Sequence, residues 1–105
     1  MTFDDRKQEF ENRYAHDQEL RFRVEARRNK LLGLWAAEKL GRSGADADAY
    51  AMDVVKADLQ KEGEEDVFAK IMADFTAAGV AQSEHQVRRR MAELLVEAEA
   101  QVKSA

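Results

Sequence analysis

The chain contains no proline and only five glycines among its 105 residues, and this scarcity of turn-forming residues limits the folds that it can adopt. A sheet of many strands needs a turn after every few residues, and glycine and proline supply many of those turns. Long helices need far fewer turns. The composition therefore excludes an all-β fold, and the length is that of a single domain.

Apolar residues recur at intervals of three and four along most of the chain, which is the period of an amphipathic helix. The apolar stripes are Leu20, Val24, Leu31, Leu34, Trp35 and Leu40; Ala51, Met52, Val55 and Leu59; Val67, Phe68, Ile71, Met72 and Phe75; and Val87, Met91, Leu94, Leu95, Ala98 and Val102. The spacing predicts an all-α fold in which each stripe faces a shared core.

Local signals predict where these helices begin and end. Ser83 and Gln86 have the spacing of a capping box, and Gly79 is a C-terminal stop. Asp46 and Asp48 are predicted to cap the helix before Gly63. Gly33 lies inside a helix, where glycine costs about 1 kcal/mol relative to alanine, so we expect another helix to approach closely there.

Residues 2–19 have a different pattern, because Phe3, Phe10 and Tyr14 are their only large apolar side chains. At 100° per residue these three form a narrow aromatic line along one helix face. Burial of each aromatic side chain stabilises the segment by roughly 1.5–3 kcal/mol, whereas ordering the backbone costs about 1–2 kcal/mol per residue. We expect a marginally stable helical segment over 1–19 that orders on a surface accepting the aromatic line, and a self-sufficient domain over 20–105.

Charge and composition exclude several function classes. The net charge of −4 argues against a general nucleic-acid binder, and no apolar run is long enough to insert into a membrane. Acidic residues near the N-terminus argue against a targeting signal. Cysteine is absent, and His16 and His85 lack the spacing of metal ligands. We expect no catalytic residue, metal or cofactor.

Basic residues form two clusters, which are Arg21, Arg23, Arg27, Arg28 and Lys30, and then Arg88, Arg89 and Arg90. One interpretation pairs them with acidic surfaces on neighbouring helices. The other is an anion site for a phosphate, such as that of an adenine nucleotide, or for an acidic partner. No phosphate-binding glycine loop accompanies the clusters, so the arginines alone support the second interpretation.

The segment from Ala26 to Glu38, ARRNKLLGLWAAE, is long and unusual in composition. Together with TFDDR at 2–6, Tyr50-Ala51 and DVV at 53–55, it resembles the ζ subunit of the alphaproteobacterial F-type ATP synthase, a family of ATPase inhibitors. The resemblance implies a four-helix bundle whose N-terminal inhibitory region enters the catalytic head between the α and β subunits, near γ. It also implies a cytoplasmic protein, peripheral to the inner membrane through the synthase.

Within the inhibitory region, the aromatic line and its flanking charges mark the expected partner contacts. These residues are Phe3, Asp5, Arg6, Phe10, Arg13 and Tyr14. Two alternatives stay open: a small helical sensor that binds adenine nucleotides, and an assembly subunit whose N-terminal helix packs on its own bundle. The sequence also leaves open whether the helices over 4–17 and 20–40 are one rod or two.

Overall fold

The computed structural model describes the backbone of residues 3–58 and 63–104 and the side chains of residues 16–58 and 63–104. It contains four α-helices, α1 (Phe3–Lys39), α2 (Gly44–Ala57), α3 (Glu64–Ala78) and α4 (Glu84–Ser104). The ranges just given contain no strand. The predicted all-α four-helix bundle is confirmed.

Helix α1 is one continuous rod, which answers the question of one helix or two. Its 37 residues span about 55 Å at 1.5 Å per residue, and the molecule measures 62 Å along its longest axis. Helix α4, the next longest at 21 residues, spans only about 32 Å. Among the described side chains, the buried apolar residues of α1 lie between Val24 and Ala37, so the surplus length lies at its N-terminal end.

Glycine in the left-handed conformation ends α1 and α3. Gly41 and Gly79 have φ values of 77° and 70°, which residues with a Cβ atom rarely adopt. Beyond Gly41, the Arg42 N–H donates to the Ala37 carbonyl at 2.9 Å; beyond Gly79, the Val80 N–H donates to the Phe75 carbonyl at 2.9 Å. Both ends are Schellman motifs, and the predicted stop at Gly79 is confirmed.

The predicted capping box of α4 is also present. The Ser83 N–H donates to Gln86 Oε1 at 2.9 Å, and the Gln86 N–H donates to Ser83 Oγ at 3.1 Å. The predicted caps of α2 are wrong, because that helix begins at Gly44 with Ser43 in the N-cap position. Asp46 lies inside its first turn, where a carboxylate still favours the positive end of the helix dipole.

Close approach at Gly33 brings α1 and α2 together, as predicted. A Cβ atom built on Gly33 would lie 2.5 Å from Ala51 Cα and 3.0 Å from Ala51 Cβ. No real side chain fits in that space. Gly33 therefore lowers the helix propensity of α1 but allows the two helix backbones to come into contact.

The core face of α1 and α2 includes Val24 and Ala51, as predicted, but otherwise differs from the predicted stripes. Leu32, Ala36 and Ala37 are buried on α1, and Tyr50, Ala51 and Val54 are buried on α2. Met52, predicted to be core, is 53% exposed, while Leu34 and Val55 are only half-buried. The reason is the close contact at Gly33, because two helices approach along the rows that carry their smallest side chains. Leu59 lies outside the described residues.

The other stripes face the core largely as predicted. Helix α3 buries Val67, Phe68, Ile71 and Phe75, and α4 buries Val87, Met91, Leu94 and Ala98. Trp35 of α1 meets the Phe75 ring edge to face, with the ring centroids 5.7 Å apart. The Tyr50 hydroxyl donates to Asp74 Oδ2 at 2.7 Å and joins α2 to α3. Burial and this carboxylate raise the pKa of Tyr50.

Candidate functional site

The end of α4 marks where α1 begins to project from the bundle. Asp17 and Leu20 of α1 line the same groove as Glu99 and Lys103 of α4. Helix α4 ends at Ser104, so the α1 backbone upstream of about residue 16 extends past it. That projecting stretch contains most of the predicted inhibitory region.

The predicted partner contacts belong to this stretch. The backbone of residues 3, 5, 6, 10, 13 and 14 lies in α1. The side chains of Phe3, Asp5, Arg6, Phe10, Arg13 and Tyr14 lie outside the described residues, so their contacts stay a prediction. As one helix, residues 3–14 span about 16 Å, a length suited to a groove between two subunits.

The first basic cluster is divided by the structure into residues with different roles. Arg28 is only 3% exposed; its Nε donates to Asn29 Oδ1 at 2.7 Å, and its Nη1 lies 3.7 Å from Glu64 Oε1. Arg21 pairs with Glu25 one turn along α1, at 3.1 Å. Arg28 therefore links α1 to the start of α3, and it is not available to an external anion.

One residue of the second basic cluster, Arg88, joins α3 to α4. Arg88 donates two hydrogen bonds to the Glu65 carboxylate, at 3.1 and 2.9 Å, and its guanidinium carbon lies 3.8 Å from the centroid of the Phe68 ring. Hydrogen bonding to Arg88 lowers the pKa of Glu65. Arg90 Nη1 lies 3.8 Å from Glu93 on the same helix. For Arg88, the pairing interpretation of the cluster is confirmed.

Three cations of the first cluster have no partner among the described side chains, and together they form what we call the basic ridge: Arg23, Arg27 and Lys30. Their spacing puts them on one face of α1, and all three are exposed. None of them forms an ion pair or hydrogen bond with another described side chain. Met52 and Val55 of α2 border the ridge, and so does Val102 of α4.

The sequence did not predict that these apolar residues border the ridge. Met52, Val55 and Val102 were predicted to be core, yet Met52 is more than half exposed. For α2, the signal that could have revealed this was the pair of small residues, Gly33 and Ala51, whose close approach favours a core face of Tyr50, Ala51 and Val54 and places Met52 at its edge.

Comparison with known proteins identifies the family. A family model described as ATPase inhibitor subunit zeta matches residues 1–101. The chain belongs to this family. A solved structure, described as a solution NMR structure of the protein, is 46% identical and superimposes with a TM-score of 0.72, covering 81% of this chain and 96% of its own. A comparison with curated proteins found no match.

Membership of the zeta family supports a regulatory role as an ATPase inhibitor and not as a catalyst. Within the described residues, no group of three or more His, Cys, Asp or Glu side chains could hold a metal ion. His16 and His85 are both exposed. No helix in the described part of the chain is long and apolar enough to cross a bilayer.

One carboxylate of this zeta-family chain has an unusual environment. Asp58 follows α2 and is half-buried. Burial raises its pKa above the ordinary 3.8, and the negative charges of Glu25 and Glu64 act in the same direction. The side chains of Asn29 and Arg28 oppose that shift without cancelling it. The ionised carboxylate therefore carries a net cost in the folded chain.

This cost predicts a stabilising substitution. The pKa of Asp58 is higher in the folded chain than in the unfolded chain. The Asp58 carboxyl group therefore stabilises the folded state at pH values below the unfolded pKa of 3.8, and this stabilisation is lost as the pH rises through the folded pKa. We expect Asp58→Asn to raise the free energy of unfolding near neutral pH and to lose that advantage near pH 4. Urea titrations at the two pH values measure it.

The matched control for Asp58→Asn is Asp53→Asn, which removes an exposed carboxylate from α2. Its effect should be small at both pH values. A loss of stability in Asp58→Asn near neutral pH would show that the favourable effect of Arg28 and Asn29 on the carboxylate outweighs the burial of its charge.

Proposed function

We propose that this chain inhibits ATP hydrolysis by the F-type ATP synthase, and that its N-terminal segment, residues 1–19, inserts as an amphipathic helix at a catalytic α/β subunit interface near γ. The observation that carries the proposal is the form of α1, a single helix of 37 residues that projects beyond the rest of the bundle. Family membership supplies the inhibitory role. The projection supplies an element that can enter another protein.

The inserted segment would bind as an amphipathic helix binds in a groove. In the sequence, Phe3, Phe10 and Tyr14 supply apolar contacts along one line. The neighbouring charges of Arg6 and Arg13 would set the register by matching charges on the groove. Held in the interface, the segment would keep one catalytic site in a nucleotide-occupied state and stop rotation in the hydrolytic direction.

The bundle itself would limit how far the segment enters. Across its two shorter axes the molecule measures 26 and 21 Å, about twice the 10–12 Å diameter of one helix with its side chains. A groove that admits a single helix therefore excludes the bundle. Because α1 continues from the segment into the core, the depth of insertion would be set by the point where the other helices begin.

Assignment as a synthase inhibitor also implies where the chain is found. It would be a cytoplasmic protein held at the inner membrane only through the α, β and γ subunits of the synthase. The adenine-nucleotide alternative loses two of its predicted contacts, because Arg28 and Arg88 are already engaged by Glu64 and Glu65. No described contact favours that second function.

Substitution of one aromatic residue tests the proposal. We expect Phe10→Ala to raise the concentration for half-maximal inhibition of the isolated catalytic head roughly thirtyfold, since a central aromatic anchor contributes about 2 kcal/mol. Phe22→Ala is the matched control, because Phe22 lies on the same helix outside the segment and is 63% exposed. The control should inhibit like the parent chain.

Two results would contradict the proposed segment. Unchanged inhibition by Phe10→Ala would show that the aromatic line does not bind the ATPase. A comparable loss with Phe22→Ala would move the main contact out of residues 1–19. Circular dichroism of both variants confirms that each remains folded.

A further inference from the structure

The basic ridge is the part of the bundle that neither the fold nor the proposed insertion explains. Arg23, Arg27 and Lys30 are exposed and have no partner among the described side chains. By contrast, Arg28 and Arg88, which join helices to one another, are paired with carboxylates. In a chain with 21 acidic and 17 basic residues, three adjacent unpaired cations are a local excess of positive charge.

The position of the ridge along α1 sets what it can meet. Arg23 and Lys30 follow the last residue of the proposed segment, Glu19, by about 6 and 17 Å along the same helix. Because α1 is continuous, a segment held as a helix in the groove fixes the position of the ridge relative to that groove. Whatever surface surrounds the groove that admits residues 1–19 must come close to the ridge.

The surface around the ridge is suited to a protein partner. Met52 and Val55 border it on the α2 side, and Val102 borders it on the α4 side, so cations and apolar groups lie together. Arginine is enriched at protein interfaces and pairs with carboxylates through two parallel hydrogen bonds. An exposed methionine adapts its shape to the surface that it meets.

We propose that the basic ridge is a second docking surface, which binds an acidic rim with apolar patches on the ATPase beside the groove that admits the inhibitory segment. This inference rests on the proposed function. The ridge attracts and orients the chain before insertion, and afterwards it holds the bundle against the rim. The segment then determines whether hydrolysis stops, and the ridge determines how readily the complex forms.

Neutralising the ridge tests this role in the full-length chain. We expect the double variant Arg27→Gln, Lys30→Gln to raise the concentration for half-maximal inhibition of the isolated head about tenfold at low ionic strength, chiefly through slower association. Inhibition at saturation should be complete, because the segment is intact. The difference should shrink towards zero between about 30 and 300 mM salt, where exposed charges are screened.

The matched control is Lys39→Gln, Arg89→Gln, which removes the same amount of charge from exposed positions outside the ridge. It should inhibit like the parent chain at every salt concentration. A second variant, Arg27→Lys, Lys30→Arg, preserves the charge and should retain most of the inhibition. Glutamine and lysine are both good helix formers, so α1 should persist in all three variants.

Failure of this inference is distinguishable from failure of the proposed function. If the parent chain inhibits and the ridge variant inhibits equally well, the docking surface is wrong and the segment stands. An equal loss of inhibition in the ridge variant and the control variant would mean that the net charge of the chain, and not the ridge, determines binding to the ATPase. Chemical-shift changes at the three ridge residues on adding ADP alone would assign the ridge to a nucleotide and overturn the proposal.

Discussion

Removal of residues 1–14 is expected to abolish inhibition of ATP hydrolysis, even at concentrations where the full-length chain inhibits completely. The truncation deletes Phe3, Phe10 and Tyr14, which are all of the proposed apolar contacts with the groove. The ridge alone would bind the rim without entering the interface, so hydrolysis would continue. The measurement is ATP turnover by the isolated catalytic head, with each chain added at increasing concentration.

The truncated chain should keep its bundle, because the described core does not depend on the deleted residues. Its members on α1 begin at Val24, and the remaining ones lie on α2, α3 and α4. The Trp35 and Phe75 rings meet far from the deletion. We therefore expect a cooperative thermal transition in the truncated chain, followed by the fluorescence of Trp35.

The matched control for the truncation is a full-length chain in which residues 1–14 are shuffled. Shuffling keeps the length and charge of the segment but breaks the aromatic line. It should inhibit as poorly as the truncated chain. Inhibition by either variant near the level of the parent chain would contradict insertion of the segment.

Replacing Gly33 with alanine is expected to destabilise the fold, although alanine is the better helix former. Helix propensity alone predicts a gain of about 1 kcal/mol. The new Cβ, however, would lie 2.5 Å from Ala51 Cα, and a backbone atom cannot rotate out of the way. Helices α1 and α2 would have to separate along their whole contact, which disturbs the packing of the core.

The expected loss for Gly33→Ala is about 2 kcal/mol in the free energy of unfolding, which is the scale of overpacking in a dense interior. For a domain near 100 residues this corresponds to a decrease of roughly 8–16 °C in Tm. Gly33→Leu should be worse and is expected to prevent folding. Thermal and urea unfolding measure both variants.

A double variant with Ala51→Gly checks the cause of that loss. Removing the Ala51 Cβ eliminates one of the two shortest contacts and leaves the one with Ala51 Cα. The double variant should therefore lose less stability than the sum of the single variants. Strict additivity, or a stabilised Gly33→Ala chain, would show that the two helices are not in tight contact at this point.

The sequence predicted best where a residue acts on its own backbone. Gly79 ends α3, and Ser83 with Gln86 begins α4, because left-handed φ values and capping hydrogen bonds depend on neighbours within a few positions. Periodicity also predicted most core residues of α3 and α4. These helices carry one broad apolar stripe each, so only one face could be buried.

Prediction was only partly right for α2, whose predicted stripe contained Ala51, Met52 and Val55. Met52 and Val55 are larger and more apolar than Ala51, and burial alone favours them. The structure buries Ala51 as predicted, but with Tyr50 and Val54 beside it, and Met52 is exposed. Small side chains let two backbones approach, and the Tyr50 hydroxyl reaches Asp74 on α3. Neither effect can be evaluated before the neighbouring helix is known.

The candidate functional site also combines features that the sequence predicted with features that depend on the tertiary structure. The sequence by itself determined the helical class and the aromatic line, because composition and spacing along one chain carry them. The segment at 26–38 carries the family resemblance. Only the tertiary structure decided which cations are free. It pairs Arg28 with Glu64 and Arg88 with Glu65 and leaves the basic ridge exposed, since an ion pair between helices depends on how those helices pack.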